Sequence, residues 1–88
     1  MKKAVALKYN AEVDNAPKLI TKGEREIAEK IIKVAKEHGI PIFEDPYLVS
    51  ILYKLDFYEE IPEEVYEAVA AILATVYKAV RKTYATTP

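Results

Sequence analysis

The spacing of hydrophobic residues changes along this chain from a continuous run to a helical period. The run Ala4–Tyr9 combines small and β-compatible residues without strict alternation, which is typical of a strand buried on both faces. Asn, Asp and Pro residues between positions 10 and 17 indicate a loop, and Lys18–Ile20 predicts a short strand after it. We therefore expect Ala4–Tyr9 to be the central strand of a small sheet.

A first helix is predicted to start at Thr21–Glu24. This Thr-Lys-Gly-Glu sequence fits a capping box, in which the Thr21 hydroxyl and the Glu24 carboxylate bind exposed backbone amides. Apolar residues then recur with helical spacing in one stripe, which contains Ile27, Ala28, Ile31, Ile32, Val34 and Ala35. Gly39 suits the position after the last turn, because glycine readily adopts left-handed backbone angles there.

A further strand and a short helix are predicted in the middle of the chain. Ile40–Glu44 is mostly apolar, and Pro41 stands near its first position, where a missing amide costs least. Asp45 followed by Pro46 is typical of a helix start, with Asp as the capping residue and Pro in the first helical position. This short helix is predicted to reach about Lys54.

The last helix is predicted to open at Pro62 and to extend to about Lys82. Helical projection gives it two adjacent apolar stripes. The β-branched stripe is the candidate for packing on the domain and contains Val65, Val69, Ile72 and Val76. The second stripe carries tyrosines and contains Tyr66, Ala70, Leu73, Tyr77, Val80 and Tyr84. Either both stripes belong to the core, or Ala70 and Leu73 border a shallow exposed groove.

Together these elements predict an α/β fold with a small mixed sheet of about three strands. A crossover helix, a short helix and a long C-terminal helix complete it. The crossover should be right-handed if the strands that it joins are parallel. The length predicts a single domain over residues 1–84, followed by a disordered tail at 85–88.

Composition restricts the classes of function. No apolar run approaches the roughly 20 residues that span a bilayer, so we expect a cytoplasmic protein. The net charge of −1 disfavours a nucleic-acid binder, which would more often carry a basic excess. The chain has no cysteine and therefore neither a disulfide nor a thiolate zinc site.

Candidate catalytic groups are few. His38 is the only histidine and is predicted in the last helical turn, where the helix dipole favours a positive charge. Ser50 is the only serine and lies inside the predicted short helix, without a nucleophile-elbow context. The six carboxylates between Asp56 and Glu67 are interpreted as helix-start residues and a solvated face rather than a cation site. We predict no enzyme activity, no metal site and no cofactor.

Several segments, in order, resemble the FlhB/YscU family, which contains export-gate proteins of flagellar and type III secretion systems. The resemblance extends over positions 4–80, and the common order of its segments makes it specific. The segments are Ala4–Tyr9, Ala16–Lys18, Lys22-Gly23, Ile40–Ile42 with Glu44 and Pro46, Leu52-Tyr53, Ile61–Tyr66 and Ala68–Ala70.

The resemblance implies a domain that receives export substrates and has export-apparatus proteins as partners. In the family, an Asn-Pro-Thr-His site before this strand cleaves itself, and a switch of substrate class follows in concert with a ruler protein. Here only Met1–Lys3 precede the strand, and Asn10 and Asn15 are each followed by alanine. We therefore expect an FlhB-like protein that docks at the export gate without a membrane anchor and without autocleavage.

The resemblance also implies partner-binding residues. The family has a small apolar patch for early export substrates, formed by an Ala-Pro pair after the first strand and by an alanine and a leucine on the last helix. The matching positions are Ala16, Pro17, Ala70 and Leu73. The last two lie on the tyrosine-containing stripe found by helical projection. The alternative for Ala16 and Pro17 is a rigid loop corner.

Two alternative interpretations stay open at this point. The chain could be a trimmed cytoplasmic domain of a membrane-anchored gate protein. It could also be an unrelated small α/β enzyme, for which we would expect a deep polar pocket with converging carboxylates around Glu44 and Asp45. A shallow apolar patch would disfavour the enzyme.

Overall fold

The computed structural model describes the backbone of residues 2–85 and the side chains of residues 2–76. It confirms the predicted α/β fold with a long C-terminal helix. The elements are β1 (Lys3–Lys8), β2 (Lys18–Glu24), α1 (Glu26–Glu37), α2 (Pro46–Leu52) and α3 (Tyr66–Ala85), with a 3-10 turn at Glu63–Val65 before α3. No helix of this described part is long and apolar enough to cross a membrane.

The sheet has two antiparallel strands among the described residues, so the predicted third strand and the mixed sheet are wrong. The segment Ile40–Glu44 is exposed and lies outside any strand. The Ile40 amide donates to the Ala35 carbonyl at 2.9 Å and so completes the end of α1. Pro41 has no amide to offer to a ladder. Within residues 2–85, β1 pairs with β2 alone, so it is not a central strand and no parallel crossover forms there.

Strand β2 is longer than predicted and includes the proposed capping box. Thr21 and Glu24 lie opposite Ala6 and Lys3 of β1, so this backbone belongs to the sheet. Helix α1 begins after Arg25, which has a positive φ of 56° and provides no side-chain cap. The capping-box prediction is therefore wrong, because pairing with a distant strand has replaced the local helix start.

The end of α1 and the start of α2 agree with the predictions, whereas α3 begins at Tyr66 instead of the predicted Pro62. Gly39 has a φ of 67°, and its amide donates to the Lys36 carbonyl at 3.2 Å, as in a Schellman motif. The Asp45 carboxylate accepts the Leu48 amide at 3.1 Å, with Pro46 in the first position of α2. Pro62 precedes the 3-10 turn that leads into α3.

The main core lies between one face of the sheet and the helices α2 and α3. Its members are Ala16, Leu19, Leu48, Leu52, Leu55, Ile61, Val65 and Val69. Val5 and Leu7 of β1 pack against this cluster. Because strand side chains alternate, Ala4 faces the opposite side of the sheet, where α1 contacts both strands. A sheet of two strands covers only part of α1.

The apolar stripe predicted for α1 is therefore only partly buried. Ala28 is buried, whereas Ile27 and Val34 are exposed. On α3, the stripe residues Tyr77, Val80 and Tyr84 have side chains outside the described residues. Of the predicted tail at 85–88, Ala85 belongs to α3 and the remainder lies outside the described residues.

Candidate partner-binding groove

The two predicted stripes of α3 have different environments. In the β-branched stripe, Val65 and Val69 are buried, and Ile72 and Val76 are half-buried. In the second stripe, Tyr66 and Ala70 are exposed and Leu73 is half-buried. The β-branched stripe packs on the domain as predicted, and the second stripe borders an open surface.

This open surface is a shallow depression of about 210 Å³ between α3 and the loop that follows β1. We call it the apolar groove. Its lining residues are Tyr9, Asn15, Ala16, Pro17, Ile61, Tyr66, Val69, Ala70 and Leu73. All four predicted positions, two in the loop and two on the helix, thus line one surface although they are distant in sequence.

Burial separates the floor of the apolar groove from its rim. Ala16, Ile61 and Val69 are each 3% exposed and form the floor. Ala70 and Tyr66 are exposed and lie at the rim. The buried Ala16 therefore determines the depth of the groove, whereas the exposed Ala70 is available for direct contact. The small Ala70 side chain also keeps the groove open.

Backbone hydrogen bonds hold the loop wall of the groove in place. The Pro17 carbonyl accepts the Ile61 amide at 2.9 Å. Leu19 donates to the Glu59 carbonyl at 3.0 Å and accepts the Tyr58 amide at 2.6 Å. We call these three bonds the short ladder. The ladder fixes the loop wall to the segment that leads into α3.

A compact turn precedes this wall. The Asn10 side-chain oxygen accepts the Glu12 amide at 3.0 Å, and the Asp14 carboxylate accepts the Asn10 amide at 2.9 Å. Lys18 forms an ion pair with Asp14 at 3.2 Å. The hydrogen bond from the Asn10 amide, assisted by Lys18, lowers the pKa of Asp14 against the opposing effect of desolvation. The Asn10 side chain therefore shapes a turn.

The other candidate chemical groups have local structural contacts. The His38 Nδ1 lies 2.9 Å from the Val34 carbonyl oxygen, and the Ser50 hydroxyl donates to the Tyr47 carbonyl at 2.6 Å. Asp45 caps α2, so its carboxylate is engaged with a backbone amide. Within the part of the chain that the structure describes, no three His, Cys, Asp or Glu side chains are grouped to hold a metal ion.

The sequence analysis does not predict four of the lining residues, nor one contact of a lysine. Tyr9, Asn15 and Ile61 line the groove, and so does Val69, which helical projection assigns only to packing on the domain. Their positions next to predicted elements are the one indication that the sequence holds. The predicted capping box includes Lys22, but the Lys22 Nζ donates to two carbonyls beyond α2, those of Tyr53 and Leu55. This contact depends on tertiary structure and has no local sequence signal.

The sequence model of the FlhB HrpN YscU SpaS family matches residues 1–76. YlqH of Bacillus subtilis, an uncharacterised protein, is 45% identical over 78 residues, which cover 89% of this chain and 84% of YlqH. FlhB of Aquifex aeolicus, a flagellar biosynthetic protein, is 42% identical over 83 residues, which cover 93% of this chain and 24% of FlhB. The chain thus spans about a quarter of that FlhB and most of YlqH.

Solved structures share the fold. The cytoplasmic domain of FlhB from Shewanella putrefaciens superimposes with a TM-score of 0.83 at 34% identity, covering 94% of this chain and 69% of that domain. A variant of the EscU/SpaS C-terminal domain gives a TM-score of 0.82 at 29% identity, covering 88% of this chain and 96% of that domain. From its sequence match, its relatives and its fold, the chain belongs to the FlhB, HrpN, YscU and SpaS family of export-gate proteins.

Proposed function

We propose that this domain is an FlhB-like component of the protein-export apparatus, which docks at the cytoplasmic side of the export gate. It binds export substrates or ruler-type partners through the apolar groove. One observation carries the proposal: Ala16, Pro17, Ala70 and Leu73 line one open apolar surface. The proposal holds equally if these residues are a piece of a longer gate protein. Family membership disfavours an unrelated enzyme.

The shape and chemistry of the groove suit a short apolar segment of a partner protein. Its buried floor is apolar, and Tyr66 at the rim combines a large ring with a hydroxyl that can stay hydrated. Nine residues line the groove, whereas a stable protein interface involves about 20–30 residues on each side. Binding should therefore be weak and reversible, which is what a gate that passes its substrate onward requires.

The proposal includes no self-cleavage within these 88 residues. Cleavage of the family type needs an asparagine followed by proline, and here Asn10 and Asn15 are each followed by alanine. In addition, the Asn10 side chain accepts the Glu12 amide and is held in a turn. Intact-mass measurement should give one chain of 10.0 kDa, apart from loss of Met1. A break after Asn10 or Asn15 would contradict this part of the proposal.

The groove can be tested with a charge-matched pair of double variants on α3. Ala70→Asp with Leu73→Asp places two carboxylates in the groove, whereas Ala71→Asp with Ala74→Asp places them at exposed positions outside its lining. The immobilised proteins are incubated with purified hook, rod and ruler proteins. The unmodified domain and the Ala71/Ala74 variant should retain a partner, and the Ala70/Leu73 variant should lose it.

Circular dichroism melting shows whether a double variant that loses its partner is still folded. Ala70 is exposed and Leu73 is half-buried, so the groove variant should still melt cooperatively. The proposal fails if the unmodified domain retains none of these proteins, or if both double variants retain them equally.

A further inference from the structure

A turn between α2 and α3 exposes two adjacent aromatic side chains. The Asp56 carbonyl accepts the Glu59 amide at 3.1 Å, and the Glu59 carboxylate accepts the Asp56 amide at 2.8 Å. Between them, Phe57 is 57% exposed and Tyr58 is 72% exposed. We call residues 56–59 the aromatic turn. Neither aromatic side chain lines the apolar groove.

The backbone of Tyr58 is in a conformation that suits glycine better than tyrosine. Its φ is 68°, at the third position of a β-turn, where a positive φ normally requires glycine or asparagine. The hydrogen bond from its amide to the Leu19 carbonyl holds this conformation. The exposed ring gains little from packing within the chain. A large aromatic residue at such a position therefore indicates a contact outside the chain.

The aromatic turn lies in the most acidic part of the sequence. Residues 54–67 contain one lysine, Lys54, and six carboxylates, giving a net charge of 1 − 6 = −5 within a chain of net charge −1. The carboxylates belong to Asp56, Glu59, Glu60, Glu63, Glu64 and Glu67. Among the described side chains, the single ion pair is between Lys18 and Asp14, so none of these six carboxylates is neutralised by a described cation.

We propose that the aromatic turn is a docking site for a positively charged, arginine-containing segment of a partner protein. Arginine guanidinium groups stack on aromatic faces, and Phe57 and Tyr58 provide two exposed rings at consecutive positions. The surrounding carboxylates attract the same cations and raise the rate of encounter. Nucleic acid is disfavoured by the same negative charge. The site is separate from the apolar groove and does not depend on it.

The test uses the full chain and a fluorescein-labelled peptide of four Arg-Ala-Leu repeats, with a Glu-Ala-Leu peptide as its charge-reversed counterpart. Fluorescence anisotropy measures both affinities at low salt. The double variant Phe57→Ser, Tyr58→Gly should bind the arginine peptide about tenfold more weakly. Glycine keeps the turn, because it readily adopts a positive φ. Tyr47→Ser is the matched control, since Tyr47 is a 77% exposed aromatic residue on α2.

Amide chemical-shift mapping locates the bound peptide. The largest shifts should fall at residues 54–60, and the affinity should decrease as salt screens the carboxylates. Any of four results would overturn the proposal: equal affinity for both peptides, equal weakening by Tyr47→Ser, shifts centred on the apolar groove, or self-association of the unliganded protein through the aromatic turn. The last result would identify a second copy of the chain as the occupant.

Discussion

Replacing Lys22 by methionine should destabilise the domain more than any other exchange of a single described lysine. The Lys22 Nζ lies 2.7 Å from the Leu55 carbonyl and 3.0 Å from the Tyr53 carbonyl. It also lies 5.3 Å from the centroid of the Tyr53 ring. These carbonyls follow the C-terminus of α2, where the helix dipole favours a positive charge. One side chain of β2 thus connects the sheet to the segment after α2.

The expected loss in the free energy of unfolding follows from the number of these contacts and from their exposure to water. A hydrogen bond to a charged group contributes about 1.5–3 kcal/mol when desolvated. Lys22 is half-buried, so water can partly replace it at the two carbonyls. Together with a cation–π contribution of about 0.5–1 kcal/mol, we expect Lys22→Met to lower the free energy of unfolding by about 2–3 kcal/mol. Methionine keeps most of the apolar stem, so lost packing contributes little.

Urea unfolding at neutral pH provides the measurement. With a slope of about 1 kcal/mol/M for a domain of this size, the midpoint should fall by roughly 2–3 M. Thermal unfolding should shift downward by roughly 10–20 °C. Lys30→Met on the exposed face of α1 is the control and should stay within about 0.5 kcal/mol of the unmodified protein. Equal effects of the two exchanges would refute the assignment of Lys22 as a clasp.

Three further exchanges test the turn, the loop and the sheet. Gly23→Ala places a Cβ 2.8 Å from the Ile27 Cβ, so urea unfolding should show a loss of about 1–3 kcal/mol; no loss would mean that α1 lies farther from β2. Asp14 has a lowered pKa, so its stabilisation is present above about pH 4 and is lost as pH falls through the folded-state pKa. Asp14→Asn should therefore make the urea midpoint less pH-dependent between about pH 5 and pH 2, and an unchanged slope would contradict this. Tyr58→Gly relieves a left-handed residue and should raise the free energy of unfolding by up to about 1 kcal/mol in the same assay; a clear loss would show that the ring packs within the chain.

The sequence predicted those element boundaries that depend on a few neighbouring residues. Asp45 with Pro46 starts α2, Gly39 ends α1, and Pro62 precedes the turn into α3. In each case the determinant is local: a side-chain cap, a positive φ or a missing amide. Such signals operate within one helical turn and do not require knowledge of the rest of the fold.

Two predictions failed because contacts with other elements decided the structure of the segment. Thr21–Glu24 has a suitable sequence for a helix cap, but β1 offers a continuous row of hydrogen-bonding groups, and the segment pairs with it. Ile40–Glu44 has strand-like composition, but the Ile40 amide is engaged with the end of α1 and Pro41 has none. Propensity alone could not decide either case, since tertiary pairing overrides it.

The residue pattern alone predicts only the α3 side of the apolar groove. Helical projection separated Val65 and Val69, which are buried, from Ala70, which is exposed. Ala16 and Pro17 came from the family resemblance, because nothing in the spacing of a loop tells which helix it faces. The contribution of Ile61 to the floor required the structure.

The short ladder connects the two surfaces proposed as docking sites. Its bond between Pro17 and Ile61 supports the floor and wall of the apolar groove, and its bond between Leu19 and Tyr58 holds the aromatic turn. Because both bonds use backbone atoms, exchanging the Tyr58 side chain for glycine removes an aromatic face and leaves the ladder intact. A proline at the same position would instead remove the amide that Leu19 accepts and impose a negative φ. Tyr58→Gly should therefore weaken binding at the aromatic turn alone. Tyr58→Pro should weaken binding both at the aromatic turn and at the apolar groove.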